Sequence, residues 1–349
     1  MSLTIWGSSS SWTLTALPLF LWMGEILFRT RLSEDLFKGL APWVNRLPGR
    51  LLHVNVIGST IFAAVSGSSP ATVVAIGSIV ISGMLKNGYT KEFAAGVICN
   101  AGTLGILIPP SIVMVVYASA TDVSVGRMFL AGVIPGLLAG LMLMVAIYVN
   151  ARIKGMAKEP FAGMGEILES AGSASWGLFL IAIILGGIYG GIFTPTEAAS
   201  VAAVYSFLIA VFVYRDMGPL KDVAWCNEDE SLANAAIRNL VLTLKNSLAV
   251  FYHDDTRKVM VDSAKTTLML MFVIVNALVF AHVLTSENIP QYVTGLMLDA
   301  GFTWFTFLIA VNLILLLGGQ FMEPSGLLLI VAPVVVVQAL LVWSARRQV

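Results

Sequence analysis

Charge is what this chain has least of. Of its 349 residues only 11% are Asp, Glu, Lys or Arg, where an ordinary soluble chain carries about 25%. That scarcity excludes a disordered polar tail and a nucleic-acid-binding surface. The 20 basic and 20 acidic residues cancel, so no acidic partner is implied. Cysteine is almost missing. Cys99 lies in an apolar run and reads as packing, Cys226 lies in a charged stretch and reads as a bystander, and the two form no disulfide or metal pattern. The three histidines, His53, His253 and His282, are too widely spaced for a metal site. No GxxxxGK[ST], HExxH or GxSxG motif occurs. The opening MSLTIWGSSSSWTLTALPLF lacks the basic n-region of a signal peptide. What is present is apolar side chain, 58% of the residues, with a mean hydropathy of +0.88. A water-soluble domain of this size has nowhere to bury so much, and the long apolar runs point to an all-α polytopic membrane protein.

The apolar segments fall at 12–28, 51–65, 70–85, 93–121, 128–149, 176–192, 195–214, 266–284, 302–319 and 325–343. A helix needs about 20 residues to cross the roughly 30 Å hydrocarbon core, and several of these are not simple spans. Segments 51–65 and 70–85 meet at Ser66-Gly67-Ser68-Ser69-Pro70, a helix breaker followed by an N-cap and an early proline. This pair predicts a re-entrant hairpin with its tip near the midplane. Gly102, Gly105 and Pro109-Pro110 interrupt segment 93–121, which predicts a discontinuous helix. Gly318 to Gly326 joins the last two segments through Glu323-Pro324-Ser325 and predicts a second hairpin.

The distribution of Lys and Arg supports the fold-back. With a hairpin at 51–85, stretches 29–50, 86–92, 150–175 and 215–265 share the cytoplasmic side and hold seventeen of the twenty basic residues. The opposite loops at 122–127, 193–196 and 285–301 hold only Arg127. The asymmetry, which the positive-inside rule requires, holds only if the chain returns after 51–85 to the side it left; a single crossing there would destroy it. The second hairpin then enters from the opposite side, the pattern of an inverted repeat. The charge-rich stretch 215–265 reads as a cytoplasmic amphipathic connector.

Broken helices leave backbone groups without partners, and in lipid these must be satisfied by protein or by a bound ion. Ser66, Gly67, Ser68 and Ser69 offer carbonyls and hydroxyls without bulk, and Asn100-Ala101-Gly102-Thr103 offers an amide and close backbone approach. Such neutral oxygens suit Na⁺, although Gly/Ser pairs also serve helix packing. Three acids lie inside apolar runs. Glu25 is placed to pair with Arg29 at i+4. Glu197, three residues after Thr194, completes a capping box. Glu323, at the second tip, is placed either to ligate a cation or to cap the following helix.

The stretches FAAVSGSSPATVVAIGSIVISGMLKNGY, FAAGVICNAGTLGILIPPSIVMVVYA, FLAGVIPGLL, GGIYGGIFTPTEAASVAAVYSF, DSAKTTLMLMFVIVNALVFAHVLTSENIPQ and GGQFMEPSGLLLIVAPVVV carry a family pattern over most of 12–337. The chain resembles the large membrane subunit of the tripartite ATP-independent periplasmic (TRAP) transporters, the DctM-like permeases. The resemblance implies an elevator-type secondary transporter of the bacterial inner membrane. It takes up small organic acids, such as dicarboxylates or sialic acid, with Na⁺ as coupling ion and no organic cofactor. A four-helix, DctQ-like small membrane subunit and a periplasmic substrate-binding protein are the implied partners. It further implies Na⁺ at Ser66, Gly67, Ser68, Asn100 and Gly102 in the first half, and at Gly319, Met322, Glu323 and Pro324 in the second. Ser69, Thr103, Pro109, Pro110 and Ser325 are the implied substrate contacts.

Against the family pattern the chain reads as truncated at both ends. An N-terminal hydrophobic helix and a second-half counterpart of NAGTLGILIPPS are missing, so transport by the chain alone is not expected. Ser82 stands where the family commonly has Pro. The expected organisation is an N-terminal helix and linker (1–50), a first repeat (51–149), connecting membrane helices (150–214), the charged connector (215–265) and an incomplete second repeat (266–349). Two alternatives stay open at this point: an elevator-type carrier that needs no binding protein, and an intramembrane enzyme using Glu323.

Overall fold

The structure, a computed structural model, describes residues 11–44, 47–121, 123–156, 164–221, 223–225, 232–246, 248–332 and 335. Cys226, most of the tail after 332 and the last two arginines lie outside the described residues. All regular structure among the described residues is helical. In chain order, α1 is Ala16–Phe28, α2 Leu32–Leu40, α3 Arg50–Ser66, α4 Ser69–Lys86, α5 Lys91–Gly102, α6 Ile112–Thr121 and α7 Val125–Ile153. Then follow α8 Met164–Ser173, α9 Ser175–Ile181, α10 Pro195–Leu208, α11 Leu232–Asn246, α12 Asp254–Ser286, α13 Ile289–Asp299 and α14 Trp304–Gly318. A last helix, α15, covers 324–332. Among the described residues four helical stretches are long and apolar enough to cross a membrane: Ser69–Lys86, Val125–Ile153, Pro195–Val213 and Asp254–Ser286.

Contacts divide the chain into two units, one of Ala16–Ile112 with Phe129–Thr266, the other of Met1–Thr15, Val113–Met128 and Thr267–Val349. In the first unit, α1 packs on α10. Their interface pairs large with small side chains: Leu17, Phe20 and Met23 are buried on α1, and Ala198, Ala199, Ala202, Ala203 and Ser206 on α10. Small residues four apart let two helices approach in lipid, where association rests on packing. Trp22 and Phe207 close the end of the seam, ring centroids 5.6 Å apart. Thr194 and Glu197 form the expected capping box, with the Thr194 N–H donating to Glu197 at 2.8 Å and the Glu197 N–H to Thr194 at 3.3 Å.

The expected hairpin is present as α3 and α4. A Cβ on Gly83 would sit 3.7 Å from Leu51, and one on Gly58 3.9 Å from Ile76. The arms are therefore antiparallel, and Arg50 and Lys86 lie at the same end. The arms have 17 and 18 residues, about 26 and 27 Å at 1.5 Å per residue. That is close to the hydrocarbon thickness, so the depth of the tip depends on how far the base stands out of the bilayer.

Two features depart from the sequence reading. The 33-residue α12 runs through the expected boundary at 265/266, so the last dozen connector residues extend a membrane helix. At about 50 Å it is far longer than the bilayer is thick, which leaves its charged first turns in water. The expected outer loop 285–301 also holds a helix, α13.

The topology is tested by labelling single cysteines in a Cys99→Ser, Cys226→Ser background. Asn87→Cys and Lys154→Cys should react from the cytoplasmic side, and Ile192→Cys from the other. Labelling of Asn87→Cys from outside would refute the fold-back.

Candidate functional site

The hairpin tip is set by two residues. Gly67 ends α3 at φ +61, donating its N–H to the Ala63 carbonyl at 3.0 Å, the left-handed C-cap that favours glycine. Ser68 is extended at φ −134 and leads into α4, with Pro70 in its first turn. There the missing proline N–H costs no helical bond.

The tip rests on the broken helix. α5 ends at Gly102, a 3₁₀ turn covers Thr103–Ile106, and α6 starts at Ile112. Pro109-Pro110, between them, is joined by a cis peptide. Three glycines make the contact. A Cβ on Gly67 would lie 2.6 Å from the Pro110 carbonyl oxygen, one on Gly105 2.9 Å from the Ser68 backbone, and one on Gly102 2.1 Å from Val73. The Ile112 N–H donates to the Gly67 carbonyl at 3.2 Å, so the start of one broken helix satisfies the end of the other. Ser111, buried beside it, donates to the Ile106 carbonyl at 2.6 Å.

Inside the tip, oxygens converge. Ser66 Oγ and Thr72 Oγ1 are 3.0 Å apart, and the Thr72 hydroxyl donates to the Ser68 carbonyl at 2.8 Å. Ser66 Oγ is 3.5 Å from the same carbonyl. Both hydroxyl residues are buried. Ser69 Oγ is buried with no hydrogen-bond partner among the described residues. A cavity of about 300 Å³ opens beside the tip, lined among others by Ser66, Ser68, Pro70, Glu25, Phe28 and Ser263. Glu25 accepts from Arg29 at 2.7 Å as expected, and Arg29 also reaches Asp262 on α12 at 2.5 Å.

The remaining expected residues are placed as follows. Asn100 lines a different cavity, with Leu52, Val97 and Asn150. Its side chain does not line the tip cavity, because it faces away on the last turn of α5. The exposed Thr103 hydroxyl donates to the Asn100 carbonyl at 2.7 Å, and Pro109 and Pro110 are buried behind the tip. In the other unit, Gly319 caps α14, and a Cβ on Gly318 would lie 2.7 Å from Leu327, so α14 and α15 meet at a second tip. Glu323 caps α15: it accepts from the Ser325 hydroxyl and from the Gly326 N–H at 3.3 Å. Met322 is exposed, and Pro324 begins α15. Thr72 and Ser111 were missed by the sequence reading, and Gly105, read there only as a helix break, also makes room for the tip. The signal for Thr72 was its i+4 spacing from Ser68, which puts its hydroxyl over the tip.

A family model described as "Tripartite ATP-independent periplasmic transporter, DctM component" matches residues 1–341. The chain belongs to the DctM family. It is 59% identical to the C4-dicarboxylate TRAP transporter large permease protein DctM of Vibrio cholerae, over 93% of this chain and 68% of the relative. It is 47% identical to the protein of the same description from Pseudomonas aeruginosa, over 96% of the chain and 70% of the relative. Against the sialic acid TRAP transporter large permease protein SiaM of Vibrio cholerae it is 30% identical, over 95% and 69%. A DctM component is a membrane-embedded transporter subunit, and the enzyme alternative built on Glu323 falls with that.

In this DctM chain Gly67→Ala should destabilise the tip twice over. A Cβ in the left-handed region costs about 1–2 kcal/mol, and it would meet the Pro110 carbonyl. A lower midpoint of thermal unfolding in detergent is expected. An unchanged midpoint would show that the tip is not held as described.

Proposed function

We propose that this DctM chain is the large permease of a Na⁺-coupled importer of C4-dicarboxylates in the bacterial inner membrane. It works with a small membrane subunit and a periplasmic binding protein. The observation that carries the substrate class is the 59% and 47% identity to two relatives described as C4-dicarboxylate permeases. The tip cavity of about 300 Å³ is at the lower end of the range for small-molecule pockets.

Support for sodium comes from the tip. Adjacent oxygens on a six-coordinate cation with metal–oxygen distances near 2.4 Å lie about 3.4 Å apart. Ser66 Oγ, Thr72 Oγ1 and the Ser68 carbonyl span 2.8 to 3.5 Å. Neutral oxygens suit a monovalent ion. In this reading Ser66 and Ser68, which line the cavity, contact a carboxylate there, the neighbouring Ser69 hydroxyl, buried without a partner among the described residues, turns toward it, and an ion at the tip offsets that carboxylate's charge.

Proteoliposomes carrying the full-length permease with its small subunit and binding protein test the reading. Inward succinate uptake should require both a Na⁺ gradient and the binding protein. Equal uptake without the gradient would overturn sodium coupling, and equal uptake of free substrate without the binding protein would favour a self-sufficient carrier.

A further inference from the structure

A second, larger cavity of about 870 Å³ lies at the end of α1, beside α4 and the chain that follows α10. Its charged lining is Arg29, Arg31, Arg215 and Lys221 against Glu34 and Asp216. Most of these charges are already matched. Arg29 is held by Glu25 and Asp262. Arg31 binds Asp216 through its backbone N–H and Nε, both at 2.7 Å. Lys221 reaches Asp255 at 3.4 Å and Glu34 reaches Lys38 at 2.6 Å.

Arg215 is the exception. It is 3% exposed, and it makes no ion pair among the described residues. Among the described residues its guanidinium donates to neutral oxygens: the Val223 and Ala224 carbonyls at 2.9 and 3.2 Å and Asn239 Oδ1 at 2.5 Å. Its Nε–H is buried without an acceptor among the described residues. The guanidinium lies over the Trp225 ring, 4.9 Å from the centroid, and the neighbouring Arg238 adds repulsion. The backbone is unusual too. α10 ends in a π turn over Ile209–Val213, and Arg215 follows at φ +56, a conformation that a residue with a Cβ adopts at a cost. A buried cation without an anion is unfavourable, and a guanidinium fork matches a carboxylate.

The cavity also adjoins the tip cavity. Phe28 lines both, and the Glu25–Arg29 pair joins them, with Glu25 lining the tip cavity and Arg29 the larger one. The charge distribution puts the larger cavity on the cytoplasmic side.

We propose that the cavity around Arg215 is an anion-binding site that receives a small carboxylate on the cytoplasmic side of the tip cavity. The identity of the anion rests on the function proposed above. Arg215 is its principal cation, Arg31 lies at its more exposed edge, and Trp225 stacks behind the guanidinium.

Trp225 supplies the readout. The purified chain in phosphatidylcholine nanodiscs, in sodium-free buffer, is titrated with succinate while tryptophan emission is followed. A saturable change is expected that is absent in Trp225→Phe. Arg215→Gln should weaken it about tenfold, the scale of one charge-assisted contact, and Arg215→Lys by less. If Arg215→Gln does not fold, Arg31→Gln decides, with a weakening of about threefold expected for its more exposed guanidinium. No saturable change in the wild type, an unchanged affinity in the variants, or a change that needs phosphatidylglycerol in the disc and ignores succinate would each overturn the proposal. Sodium-dependent uptake with no sodium-free Trp225 response would defeat this site alone. Absence of uptake in the reconstituted transporter would defeat the functional reading on which it rests.

Discussion

A helix that stops inside a bilayer must have its open backbone groups satisfied by protein, because the surrounding lipid offers no partner. The hairpin tip meets that requirement with the neighbouring break. The Gly67 carbonyl, left open at the end of α3, accepts from the Ile112 N–H at the start of α6. Two ends that would each be costly alone are satisfied together. The contact is possible only because Gly67, Gly102 and Gly105 keep side chains out of it. Their conformational freedom matters less here than the absence of a Cβ.

The same closure leaves oxygens over. Ser66, Ser68, Ser69 and Thr72 gather oxygens at the tip, and two of them, Ser66 and Ser68, line a small cavity shared with Glu25 and Phe28. Around them the packing is firm. α3 and the broken helix set Val56, Ala63, Ala101 and Leu104 against α7, and α1 is seated on the small-residue face of α10. The tip is thus polar while the helices around it are packed through apolar side chains.

Much of this was legible in the residues. Ser-Gly-Ser-Ser-Pro announced the break, and the lysine and arginine distribution required the chain to return after 51–85 to the side it left. Thr194 and Glu197 announced their capping box. Glu323 was open between ligand and cap, and its hydrogen bonds to Ser325 and Gly326 supply the cap. What was not legible depends on contacts distant in sequence. Thr72 is one hydroxyl in an apolar run until the turn at Gly67 sets it over Ser66. Gly105 gains its meaning from the Ser68 backbone. Arg215 looked like one more connector charge, and only its burial beside Trp225 and Asn239 separates it from the paired arginines. At the far edge of the connector, charged residues continue a helix as readily as they end one, as α12 does through Lys265, while the contacts divide the chain at the next residues, Thr266 and Thr267.

Sodium binding at the tip is best examined by thermal unfolding of the purified chain in Na⁺ against K⁺ or choline. A ligand that binds only the folded state raises the midpoint in proportion to the logarithm of its concentration. The wild type should be stabilised by Na⁺ alone. Thr72→Val, nearly equal in shape, should fold but lose that response. A wild type indifferent to the cation, or a Thr72→Val variant with the full sodium response, would contradict a sodium site at the hairpin tip.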